Sequence, residues 1–122
     1  MYAFRYALSF LPVLIAIAGN LLGGVWAAGN IVFSLVFMVI IDWFAPADKQ
    51  KIPQHDGRLP DAVLLFSVLV HTLGLASLIY GVWSGILSGG AVWLAAISTG
   101  FAAGILGITA AHELIHRERN KW

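Results

Sequence analysis

His112-Glu113-Leu114-Ile115-His116 fulfils the pattern H-E-x-x-H, in which two helical histidines stand one turn apart and can share a metal ion. At about 100° per residue, His112 and His116 differ by about 40° around a helix, so their imidazoles can converge. Ile105 and Thr109 fall on the same face. Glu113 is offset by about a quarter turn and can pair with Arg117 at i+4. Two chemistries suit this arrangement. With zinc, Glu113 would deprotonate a metal-bound water in a hydrolase. With iron, neutral imidazoles would hold a redox metal that keeps positions open for oxygen. A reading without chemistry also stands: two interfacial histidines hydrogen-bonded to neighbours or headgroups, beside a Glu113–Arg117 surface pair worth little. Two imidazoles leave either metal short of ligands, and the chain has no cysteine to complete the set.

The elements that must carry these residues follow from composition. Of 122 residues, 60% are hydrophobic and 11% charged, against about 25% charged in an average soluble domain. No formally charged residue lies between Arg5 and Asp42, nor between Asp61 and Glu113. A helix that crosses a bilayer core takes about 20 residues, so each run is too long for one span and reads as a helical hairpin. Breaks are placed at Gly19-Asn20 to Gly23-Gly24 and between Gly81 and Gly90, where Ser84, Gly85, Ser88 and Gly89 cluster. The expected fold is all-α and integral to the membrane, a single domain of four transmembrane helices in two hairpins. The spans are about 5–22, 25–44, 62–82 and 91–116, with a loop at 45–61 and a tail at 117–122. Arg5 and Ala16-Ile17-Ala18 also mimic a cleaved leader, but the apolar sequence resumes at Leu21-Leu22 and feeds another span.

Four spans put the N-terminus, the 45–61 loop and the tail on one side. There lie all seven basic residues, namely Arg5, Lys49, Lys51, Arg58, Arg117, Arg119 and Lys121. Cytoplasmic loops are enriched in lysine and arginine, so this side is expected to be the cytoplasmic face of the inner (plasma) membrane. Tryptophan prefers the interface. Trp26 to Trp43 is about 26 Å along a helix and Trp93 to His112 about 29 Å, which puts the histidine pair at the cytoplasmic mouth of the fourth span. Gly100 and Gly104, with Gly107 nearby, would let another helix approach closely.

On these residues the chain resembles a known family. IIDWFAPADKQKIPQ at 40–54, followed by a helix ending in ITAAHELIHR at 108–117, looks like the N-terminal part of the membrane-bound alkane 1-monooxygenases of the fatty-acid desaturase and hydroxylase superfamily. The specific part is the first histidine box, roughly H-E-L-x-H-[KR]. The resemblance implies a fold of about six transmembrane helices and a non-haem di-iron centre held by histidines at the cytosolic face. It implies hydroxylation of the terminal carbon of an alkane or related hydrophobe by oxygen, with electrons from a rubredoxin and its NAD(P)H-dependent reductase. By that match, His112 and His116 are iron ligands and Glu113 lies beside them without ligating. Further boxes and the last two helices are not in this sequence, so the chain is expected to be a fragment of a longer enzyme, inactive alone.

Three alternatives accompany this reading: a desaturase or related hydroxylase of the same superfamily, an intramembrane zinc metalloprotease, and a four-helix membrane module without catalysis. A protease needs a site sunk below the headgroups, whereas Arg117, Glu118 and Arg119 follow His116 directly. His71 falls near the middle of span three and is expected to be buried and hydrogen-bonded to Ser, Thr or a carbonyl, with a place along a substrate channel as its functional reading. His55 is expected to be solvated in the polar loop, and Asp42 to cap or anchor span two. The sequence has no phosphate loop or dinucleotide fingerprint, so flavin or nicotinamide would act through a partner. The scattered basic residues do not make a nucleic-acid surface.

Overall fold

The structure, a computed structural model, describes residues 10–44 and 58–118, and within them the side chains other than those of 38, 41, 42, 58–61, 63, 64 and 105–118. All regular elements among these residues are helices. They are α1 (Leu11–Leu22), a 3-10 segment (Gly24–Ala28), α2 (Gly29–Phe44), α3 (Arg58–Trp83) and α4 (Gly90–Glu118). The part of span one before residue 10 and most of the 45–61 loop lie outside the described residues.

Pro12 opens α1 within its first turn, where a missing N–H breaks no helical bond. The helix does not break at Gly19-Asn20. It runs to Leu22 and ends at Gly23, whose φ of 70° belongs to the region glycine favours. A Cβ on Gly19 would collide with the backbone carbonyl of Trp26, so this glycine lets the 3-10 segment fold back closely onto α1. Gly81 likewise sits inside α3. A Cβ there would lie 2.7 Å from the Asn20 carbonyl oxygen and 2.7 Å from Leu87 Cδ1. Within the breaks expected over 19–24 and 81–90, Gly19 and Gly81 are points of close helix approach, and the chain reverses at Gly23-Gly24 and at Ser84 to Gly89, just past the span ends expected at 22 and 82, with Gly85 and Gly89 at positive φ.

The two reversals meet, since a Cβ on Gly23 would stand 2.6 Å from the carbonyl oxygen of Ile86. From this shared turn end α1 packs against α2, α3 and α4, and α2 also packs against α4. One apolar cluster joins Phe10, Val13 and Ala16 to Val70 and Ala102, and a second joins Ala27 to Leu87 and Ala95. Phe10 also meets Phe66 edge to face, with centroids 5.1 Å apart, a favoured aromatic geometry.

Most large apolar side chains face outward. Val25, Trp43 and Trp83 are more than four-fifths exposed, and Leu35, Val36, Val39, Ile40, Leu65 and Ile79 are also on the exterior. A water-facing surface rarely carries so continuous an apolar cover. Among the described residues one helix, through Leu65–Trp83, is long and apolar enough to cross a membrane; Leu11–Leu22, Gly24–Phe37 and Gly90–Gly104 are shorter apolar helices.

Candidate functional site

The polar residues of these helices fall into three groups. The first joins the hairpins near the turn end. Asn20, fully buried near the end of α1, donates from Nδ2 to Ser77 Oγ in α3 and to Thr99 Oγ1 in α4, each at 3.0 Å. Ser77 Oγ in turn donates a hydrogen bond to the Gly74 carbonyl at 2.7 Å. Asn30, fully buried near the start of α2, donates to the Ser98 carbonyl at 2.8 Å and accepts from Ser34 Oγ at 3.1 Å. An amide buried among apolar helices is costly until paired, so each asparagine selects one docking of its helix against α4. The Ser98 hydroxyl, enclosed beside them, has no partner among the described residues.

The second group is His71, where Nδ1 lies 2.9 Å from the carbonyl oxygen of Ser67, one turn back in α3. This is the carbonyl partner anticipated for a buried span-three histidine. The ring borders a groove of about 390 Å³ between α3 and α4, with Thr72, Leu75, Thr99 and Gly100 in its walls and Val13 of α1 contributing from the side.

The third group is the sequence motif itself. His112, Glu113 and His116 all fall within α4, which continues without interruption from Gly90 to Glu118. Their backbone is helical, so the i, i+4 spacing puts both histidines on one helix face. The side chains of all three, and of Asp42, lie outside the described residues, as does His55 altogether. Among the described residues there is no group of three or more His, Cys, Asp or Glu that could hold a metal ion. Gly100 and Gly104 meet nothing within 4 Å of an added Cβ. The close approach expected there occurs instead at Gly19, Gly23 and Gly81, while Gly100 borders the open groove between α3 and α4.

Asn30, Ser77 and Thr99 were not singled out from sequence, and Asn20 was read only as part of a break. Their one available signal was an uncharged polar residue inside an otherwise apolar helix. Compared with family models, with curated proteins and with solved structures, the chain matches none.

Proposed function

We propose that this chain is the first part of an integral-membrane, non-haem di-iron monooxygenase that hydroxylates the terminal carbon of alkanes or similar hydrophobic molecules. His112 and His116 are its iron ligands and Glu113 steadies them. The observation that carries this reading is the continuity of α4: one unbroken helix runs from Gly90 through the whole H-E-L-I-H segment to Glu118. A ligand pair on a rigid helix keeps its spacing, as metal coordination requires. From Ala103, the last residue of α4 bordering the groove, to His112 is about 14 Å along the helix.

The donor set suits iron. Neutral imidazole is a good ligand for it, and two histidines on one helix supply part of a site whose other ligands come from elsewhere in the polypeptide. Iron bound there supplies activation of oxygen for insertion into a C–H bond. This chain's own residues hold and orient the metal at the mouth of a helix, where a lipid-dissolved substrate meets soluble electron donors. With no dinucleotide fingerprint in the sequence, reducing equivalents arrive through a rubredoxin-like partner.

Membrane embedding is supported by the apolar exterior and by exposed Trp26, Trp43, Trp83 and Trp93 near the helix ends. Four spans with the histidines on the cytoplasmic side agree with the absence of charge from both short reversals. Cysteines introduced at Ser88 and Gln54 should label from the periplasm and the cytoplasm respectively; the reverse pattern would overturn this orientation.

In the full-length protein, His112→Ala or His116→Ala should abolish iron binding and hydroxylation with membrane insertion intact. Normal iron content in either variant would sink the ligand assignment. Stoichiometric zinc in the unaltered protein would favour the hydrolase instead.

A further inference from the structure

α2 and α4 leave the shared turn end side by side and in the same direction, and two observations fix their register. Asn30 near the start of α2 donates to the Ser98 carbonyl, and Ala27, just before α2, shares a buried cluster with Ala95. Both pairs have the same sequence offset, 68 residues. From Asn30 to Asp42 is about 18 Å along α2 and from Ser98 to His112 about 21 Å along α4, so the two residues stand within about 3 Å of the same height at the far end. On α2 Asn30 and Ser34 are buried, while Val36, Val39, Ile40, Trp43 and Phe44 are exposed. A stripe that starts at Asn30 and Ser34 and repeats every three to four residues continues through positions 38, 41 and 42. On α4, His112 stands about 40° round the helix from the buried Ser98 and His116 returns to its azimuth, so the histidine pair continues the side on which Asn30 docks.

A histidine that ligates a metal through one ring nitrogen almost always gives its other N–H to a carboxylate, a carbonyl or water. Glu113 lies three residues before His116 and is its neighbour on the helix surface, whereas the consecutive residues His112 and Glu113 do not face each other. We propose that Asp42 is the positioning residue for His112: its carboxylate accepts the ring N–H that coordination leaves free, as Glu113 does for His116. Packed helices lie about 8–10 Å apart between axes, a gap that an aspartate and a histidine span together. Asp61 of α3 reaches the same end of the bundle. It stands nine residues before Val70, half a turn round the helix from the residue that clusters with Ala102, and has Arg58 as its neighbour at i−3. The inference rests on His112 being an iron ligand.

The test uses the full-length protein in nanodiscs. Asp42→Asn should weaken Fe(II) binding, measured by chelator competition without oxygen, by about 10–100-fold and leave the unfolding midpoint unchanged. Asp42→Glu should restore most of the affinity, and Asp61→Asn should not alter it. The placement is checked without metal, in a background with no other cysteine. Asp42→Cys with His112→Cys should be joined by a short bismaleimide, whereas Ile40→Cys, two residues away and exposed, should not be. Equal joining from positions 40 and 42 overturns the placement. Iron that is lost on His112→Ala but unchanged on Asp42→Asn overturns the role of Asp42 and leaves the histidine ligands standing. A loss that Asp42→Glu does not restore, or one accompanied by a lower unfolding midpoint, does the same. Iron that survives His112→Ala ends both readings.

Discussion

The two ends of α4 put polar residues to opposite uses. Near its start, Ser98 and Thr99 are joined to Asn30 and Asn20, amides from the first hairpin, and the surrounding space is filled by Leu87 and Ala95. Near its end, His112 and His116 share a helix face with no comparable set of companions in the sequence around them. Apart from the Ser98 hydroxyl, the first end pairs its polar groups within the chain and so contributes to folding. The second, on the proposed reading, leaves lone pairs for something outside the chain to claim. A polar residue in an apolar helix is therefore no guide to function until its partners are counted.

Substitutions can break this contrast. The largest effect expected is the complete loss of iron on His112→Ala, with no change in the unfolding midpoint; a large fall in stability would make the histidines structural, like the asparagines. Next comes Gly23→Ala. Its positive φ and the nearby Ile86 carbonyl predict a loss of about 2–4 kcal/mol from backbone strain and overpacking. The control is Gly100→Ala, open to its surroundings, which should stay within about 0.5 kcal/mol. Equal effects at the two glycines would mean the reversals do not meet as described. Smaller than Gly23→Ala, Asn20→Leu should lower stability by about 1–2 kcal/mol, since it strands Thr99 and part of Ser77's bonding. An unchanged unfolding midpoint would show that the clasp contributes nothing.

Much of the helical layout was legible in the sequence because it depends on local pattern. Long uncharged runs, glycine-rich breaks and the i, i+4 histidines need no knowledge of distant residues. The His71–Ser67 contact was within reach for the same reason, as a helical residue can bond the carbonyl one turn back. Asn20 was not, because its partners stand 57 and 79 positions away. The glycines divide along this line. Gly19 and Gly81 look like turn residues in one dimension, but what they permit is close packing, which depends on which backbone lies opposite. The start of α3 at Arg58, four residues before the span expected at 62, reflects a helix that continues beyond its apolar part with Pro60 in its first turn, where proline is tolerated. On the proposed reading, the arrangement of the histidine side chains depends on further ligands that local pattern does not reveal.

The stitching of the hairpins at Asn30 and Ser98 also makes α4 a lever. Ser98 to His112 is about 21 Å, so a tilt of only about 1° at the stitch swings the histidines by about 0.4 Å, beyond the ~0.2 Å latitude of a metal–ligand bond. On the proposed reading of the histidines as iron ligands, the asparagines thus act as the fulcrum that sets the helix from which the imidazoles reach.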